Sequence, residues 1–278
     1  MQVNNVLVED SFRYTEEKEN LLVRSEEIGD FSEVIAYCDQ IDESIQYNDS
    51  IWEVEVQEGI TFAEWLFSQA GEANPDDRAR IMTFINNAGA ARHIEGGNET
   101  IRVSLGLCDD AVSDQEGYIN KRREILAGIS NVQEYEAFMQ SCFLNSCFAD
   151  NILSDMKYIK DFAANAKEIT DNLSVLNDEA VELYYQYHDN LKMAIDILGT
   201  KLRACSPDPK HKKELVFPFV YDEIVNGESV ARIKRIVCSP HLKLLRGDSD
   251  LRIYFYWCDS QVGHGKKVLV GSIGRHPY

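Results

Sequence analysis

The chain has 278 residues, of which 44% are hydrophobic and 27% charged, and its formal net charge is -19. This composition is typical of a globular protein with a sizeable core, and the sequence contains no internal repeat and no low-complexity tract. No apolar run reaches the roughly 18 to 20 residues that a membrane helix requires. The N-terminus MQVNNVLVEDSFRYTEEKE lacks the basic start and apolar core of a signal peptide, so a cytoplasmic location and no membrane contact are predicted.

Residues 1–115 are predicted to form a mixed α/β acidic region. Apolar residues alternate in VNNVLVE and SIWEVEV, which predicts two strands, and IRVSLGL predicts a third. Helical spacing in DFSEVIAYCDQI predicts a helix between the first two strands. Thr61 and Glu64 form a capping box that opens the helix TFAEWLFSQA, and Asn74 followed by Pro75 opens another.

Residues 116–204 are predicted to form an antiparallel layer of long amphipathic helices. Ser130 and Gln133 make a capping box before YEAFMQSCFLNSCFADNIL. Two more helices are expected, one in MKYIKDFAANAKEITDNL and one from Asn177 to Gly199. Residues 205–214, with the sequence CSPDPKHKKE, combine two prolines with a lysine cluster and predict a linker.

Residues 215–278 are predicted to form a C-terminal antiparallel sheet, which makes the whole chain an α+β protein. Residues that favour strands are concentrated in LVFPFVY, ARIKRIV, LRIYFYW and KKVLVGSI, and turn signals separate these runs. Pro218 predicts that the first run is an edge strand, because proline cannot donate a hydrogen bond to a neighbouring strand.

Charge is divided unevenly along the chain. Residues 208–278 contain 12 Lys and Arg against 8 Asp and Glu, a balance of +4, whereas residues 1–207 contain 16 against 39, a balance of -23. Four of the six histidines also lie in the C-terminal part. Such asymmetry suggests a polyanion-binding module attached to an acidic body, although soluble acidic helices alone also explain an excess of negative charge.

Alternation in LRIYFYW predicts a polar, cationic face on the C-terminal sheet. Arg252, Tyr254 and Tyr256 are expected on one face, and the apolar residues between them on the face that packs against the helices. The loop residues His241, Lys243 and Arg246 are expected beside this face, and His276 in the tail is expected to fold back over it. The candidate catalytic residues are His241, Lys243, Arg246, Arg252, Tyr254 and His276.

These residue types suit a phosphodiester substrate. Arginine binds phosphate oxygens in bidentate fashion and lysine supplies a point charge, while tyrosine can stack on a base and histidine can transfer protons near neutral pH. A metal-independent ribonuclease requires only a base for the ribose 2′-OH, cations for the phosphate and an acid for the leaving oxygen. RNA is therefore the predicted partner of the sheet.

The run HLKL…RIYFYW…VLVGSIGRHPY resembles the RelE/ParE-like toxin fold over about the last 65 residues. It also resembles the ends of larger bacterial proteins that accompany defence genes. The resemblance implies a toxin-like effector that cuts mRNA, often on the ribosome, in a defence or toxin–antitoxin setting, with an antitoxin or other protein partner; one branch of the fold instead poisons DNA gyrase. By position, Arg252 and Tyr254 match the arginine of the family's sheet and its neighbour, and His276 matches the tail residue.

Two alternatives to the ribonuclease hypothesis remain open. The sheet face is an ordinary solvated surface, or the protein is not an enzyme. In the second alternative the chain is an adaptor or subunit of a defence complex that binds a basic partner through its acidic helices. The length of the chain and its acidic extension depart from the family. The seven cysteines include no CxxC pair, and the sequence has no GxGxxG, Walker or HExxH motif, so no cofactor and no metal are predicted.

Overall fold

The structure is a computed structural model that describes residues 3–15, 24–68, 70–71, 74–88, 99–202, 204–244 and 249–276. It confirms the predicted α+β class. The chain divides into two compact units, residues 1–122 and residues 123–278. No helix in these described ranges has both the length and the apolar character needed to traverse a bilayer.

Unit 1 is built around a short parallel sheet with the strand order β2-β1-β5. Its elements are β1 (Val3–Leu7), α1 (Ser25–Gln40), β2 (Ile45–Gln46), β3 (Glu55–Gln57), β4 (Ile60–Thr61), α2 (Phe62–Phe67), α3 (Pro75–Asn87) and β5 (Glu99–Val103), followed by α4 (Gln115–Gly128), which contains the boundary between the units. The capping box of Thr61 and Glu64 and the cap of Asn74 before Pro75 are confirmed. The predicted strand SIWEVEV is in part a 3₁₀ turn, Asp49–Glu53, followed by β3.

A buried ion pair ties α4 to the sheet of unit 1. Arg122 is fully buried and binds Glu43 through two contacts, Nη1 to Oε2 at 2.7 Å and Nη2 to Oε1 at 3.0 Å. The hydroxyl of Tyr118 donates to Oδ1 of Asn5 in the middle of β1 at 2.9 Å. Buried charges are tolerated when they are paired, so these contacts explain why the Arg122 guanidinium is buried.

Unit 2 contains a five-stranded sheet and a separate two-stranded hairpin. After α4 come α5 (Val132–Cys142), β6 (Ser146–Phe148), α6 (Ile152–Met156), α7 (Phe162–Gln186), α8 (Leu191–Lys201), β7 (Cys205–Ser206), β8 (Val216–Val225), β9 (Glu228–Val237), β10 (His241–Lys243), β11 (Leu251–Tyr256) and β12 (Val268–Arg275). The sheet order is β6-β12-β11-β10-β7, and β8 pairs only with β9. Strand β6 is parallel to β12, and the other pairs are antiparallel.

The structure divides the C-terminal part of the chain differently from the sequence-based prediction. Residues 205–206, the start of the predicted linker, form β7 and pair with β10. Strand β6 lies inside a stretch that was predicted as one helix, because short apolar runs do not distinguish a strand from a helix. The helix predicted from Asn177 to Gly199 is interrupted between α7 and α8, and Asn131, not Ser130, caps α5.

Strand β11 is buried along its length, which corrects the prediction of a solvated face. Residues 251–255 are all buried. Phe217, Phe219 and Ile236 at the base of the β8–β9 hairpin pack in one cluster with Tyr254. Gly271 allows this approach, because a Cβ atom at this position would overlap the ring of Phe217. Tyr254, one residue of the predicted cationic surface, therefore lies under the base of the hairpin.

Candidate active site

Three strands of unit 2 place polar side chains in one row. In the sheet register His241 of β10 lies opposite Ser206 of β7 on one side and opposite Tyr254 of β11 on the other. Nε2 of His241 lies 3.2 Å from Oγ of Ser206, and its ring centre lies 5.2 Å from that of Tyr254. Directly paired residues in antiparallel strands share a face, so the register alone brings these side chains together.

His276 folds back onto this row, which confirms its predicted position. Nδ1 of His276 lies 2.6 Å from the hydroxyl of Tyr254, and the ring centres of His276 and His241 are 6.3 Å apart. The backbone N–H of His276 donates to the carbonyl of Asp250 at 3.2 Å, which holds the chain in place after β12 ends at Arg275. The tail histidine is thus positioned by both backbone and side chain.

The segment that the sequence predicted as a linker contributes two further titratable residues. Oδ1 of Asp208 lies 3.0 Å from Nδ1 of His211. Two hydrogen bonds fix the backbone of Asp208 against Ser239, one from its N–H to the Ser239 carbonyl at 3.1 Å and one from the Ser239 hydroxyl to its carbonyl at 3.0 Å. The signal for this pair was the spacing Asp-x-x-His, which the surrounding prolines and lysines obscured.

We call this group of side chains the histidine cluster. Its members are Ser206, Asp208, His211, His241, Tyr254 and His276.

The two described cations beside the cluster differ in accessibility. Lys243 and Arg252 face each other in the register and share the face of His241. Lys243 is exposed, whereas Arg252 is only 8% exposed, and its Nη1 donates to the carbonyls of Ser249 at 2.6 Å and Leu251 at 2.7 Å. Arg252 therefore acts on the cluster through its charge and does not present an open guanidinium group. Arg246, the remaining predicted cation, lies outside the described residues.

Burial and positive charge keep both central histidines neutral at neutral pH. Burial, and after it the nearby charge of Arg252, lower the pKa of His241 to about 4 against the opposing effect of Asp208. The pKa of His276 is also lowered, first by burial and then by Arg252, with Asp208 again opposing. Neutral imidazoles accept protons, so the cluster has the electrostatics of a site for a general base.

One nitrogen of His241 is left without a partner. His241 is only 6% exposed, and its Nδ1 makes no hydrogen bond with any described residue. A buried polar atom without a partner is destabilising, and such atoms in folded proteins usually have a ligand or a water molecule as partner.

The low pKa of His241 predicts that the protein loses stability on acidification. An unfolded histidine binds its proton near pH 6.5, so the free energy of unfolding should fall by up to about 3 kcal/mol as the pH decreases from about 6.5 to 4. Urea unfolding across this range measures the loss, and NMR titration of His241 measures the pKa directly. In the variant His241→Phe this contribution should be absent; an ordinary pKa for His241 would contradict the prediction.

The cluster has no close counterpart that could assign it a role. The chain matches no family model, no curated protein and no solved structure. In the described residues, no group of three or more His, Cys, Asp or Glu side chains is arranged to hold a metal ion. The resemblance to the RelE/ParE-like fold stays a prediction, and the interpretation of the site rests on its geometry.

Proposed function

We propose that the histidine cluster cleaves RNA as a metal-independent endoribonuclease. The observation that carries this proposal is the convergence of Tyr254, His241 and His276, with a contact of 2.6 Å between the Tyr254 hydroxyl and Nδ1 of His276. Neutral histidines beside fixed positive charge supply the groups that proton transfer at a phosphodiester requires.

His276 is the general base in this proposal. In the tautomer that this role requires, Nδ1–H of His276 donates to the Tyr254 hydroxyl and Nε2 accepts the proton of the ribose 2′-OH. The lowered pKa of His276 supports this role, because the ring must be neutral to accept a proton. Tyr254 is a positioning residue whose hydroxyl holds the orientation of the ring.

His211 is the general acid. Oδ1 of Asp208 lies 3.0 Å from its Nδ1, and this contact fixes the orientation of the ring. The side chain of His211 is 41% exposed, so a bound nucleotide can reach it. Lys243, which is exposed beside His241, neutralises charge on the phosphate.

The reaction is an internal transfer that requires RNA. The 2′-oxygen attacks the phosphorus and forms a cyclic phosphate, while the bond from phosphorus to the 5′-oxygen breaks. His276 takes the 2′ proton and His211 gives a proton to the 5′-oxygen, so the atoms balance without a metal ion. DNA lacks the 2′-OH and should not be cut.

Incubation with labelled RNA in EDTA tests the proposal. We expect cleavage by the unaltered protein, and a reduction of about 10-fold in kcat/KM for Lys243→Ala, because one cation contact to the phosphate is lost. Lys266→Ala is the matched control, since Lys266 is another exposed lysine of unit 2 outside the cluster. Absence of cleavage by the unaltered protein would overturn the proposal.

A second candidate function is that of a non-catalytic adaptor. The exposed apolar face of the β8–β9 hairpin favours it, because such faces usually contact other proteins. Stable binding of a protein partner without any RNA cleavage would favour the adaptor.

A further inference from the structure

The outer part of the β8–β9 hairpin has one face that nothing in the described chain covers. Phe217, Phe219 and Ile236 lie on the buried face. On the opposite face the side chains are partly or fully exposed along the whole length of both strands. The large apolar residues exposed there are Val220 (50%), Ile224 (70%), Ile233 (66%) and Val237 (36%).

The hairpin is regular enough to present this face as a fixed surface. Ten residue pairs connect the strands without a bulge, from Val216 opposite Val237 to Val225 opposite Glu228. Asn226 and Gly227 form the two-residue turn with φ of 55° and 86°. Positive φ at both positions is the geometry that matches the twist of a tight hairpin.

The order of apolar and charged residues along the exposed face lets this face match a second copy of itself that runs in the opposite direction. Apolar pairs occur at the base, where Val216 lies opposite Val237, and in the centre, where Val220 lies opposite Ile233. At the turn end Ile224 lies opposite Ser229. Between the centre and the two ends lie Arg235 on one side of the central pair and Asp222 on the other, each two residues away along its strand. Neither charge has an ion-pair partner in the part of the chain that the structure describes.

We propose that this face binds the same face of a second copy of the chain. A two-fold axis through the central pair of Val220 and Ile233 stacks each of these residues on its own copy. The same rotation brings Arg235 of one copy to the same height along the strands as Asp222 of the other copy. The two residues then lie over neighbouring strands, and the long arginine side chain can reach the carboxylate. An isologous contact of this kind is closed and forms each ion pair twice.

The hairpin is also where two such acidic chains can approach. The full chain carries a net charge of -19, so two copies repel each other in general. Strands β8 and β9 together carry three acidic and three basic residues and are neutral. Charge complementarity therefore favours this face as the contact between copies.

The size of the face predicts a weak, reversible dimer. Two strands of ten residues give a face about 34 Å long and about 10 Å wide, or roughly 300 Å² for each copy. The total is below the roughly 1,200 Å² that stable interfaces bury. We therefore expect the dimer to form only at high protein concentration.

Exchange of the two charges tests the proposal by sedimentation velocity over a concentration series up to the millimolar range. Each single variant, Asp222→Arg or Arg235→Asp, should raise the dissociation constant about 10-fold or more, because like charges then meet twice. The double variant restores opposite charges and should return to within about threefold of the unaltered chain.

Glu228→Arg is the matched control, because it reverses a charge on the opposite face of the same hairpin. Its dissociation constant should be unchanged or lower, since the variant also reduces the overall negative charge. A chain that stays monomeric throughout the series, or a double variant as weak as the single ones, would overturn the proposal.

Discussion

Replacement of His276 by alanine is expected to lower the rate of RNA cleavage by about 10²–10⁴-fold, the usual contribution of a general base. The reason is local, because Nε2 of His276 is the proposed acceptor of the 2′ proton, and Nδ1 of the same ring lies 2.6 Å from the Tyr254 hydroxyl. Single-turnover cleavage of a short RNA at saturating protein measures this rate.

The controls for this prediction separate chemistry from folding. His188→Ala should cleave at the parent rate, since His188 is an exposed histidine that contacts Asp189 and lies outside the cluster. Tyr254→Phe should retain the fold but reduce cleavage, because the ring of His276 loses the hydroxyl that holds its orientation. Equal rates for His276→Ala and the parent protein would contradict the role of His276.

Replacement of His211 by alanine is expected to slow RNA cleavage by about 10²-fold and to leave the cleavage of an activated substrate nearly unchanged. The 5′-oxygen of RNA is a poor leaving group that needs a proton, which His211 is proposed to supply with the help of Asp208. A uridine 3′-aryl phosphate serves as the activated substrate, because its nitrophenyl leaving group departs without protonation. The ratio of the cleavage rate of RNA to that of the activated substrate therefore measures the contribution of the general acid alone.

The neighbouring residue provides the matched control for this second prediction. Lys212→Ala changes an exposed cation next to His211 and should leave the ratio of the two rates unchanged. Asp208→Asn should shift the ratio in the same direction as His211→Ala. If His211→Ala slows both substrates equally, His211 contributes to binding or folding and is not the acid.

The sequence predicted the long strands of unit 2 better than the short strands that pair with them. Alternation and residue type indicated β8, β9, β11 and β12, since these features are local. The two-residue strand β7 and the three-residue strand β6 are too short to show a period, and they form because β10 and β12 offer unpaired edges. Their pairing is a tertiary effect that no local pattern contains.

The same distinction applies to the candidate site. The approach of His276 to Tyr254 agrees with strand alternation and a short tail, whereas His241, which was expected in a loop, lies in β10 and meets Tyr254 through the sheet register. The burial of Arg252 did not follow, because strand alternation does not reveal which other segments pack over a face of the sheet. A near-continuous apolar run such as LRIYFYW is itself typical of a strand that is buried on both faces.

The chemical ends of the RNA fragments test the central claim most directly. Mass spectrometry of the products formed by the unaltered protein in EDTA should find 2′,3′-cyclic phosphates and 5′-hydroxyl groups, because the 2′-oxygen is the proposed nucleophile. Fragments with 5′-phosphate and 3′-hydroxyl ends, or RNA that stays intact, would contradict a histidine cluster that acts through the 2′-OH.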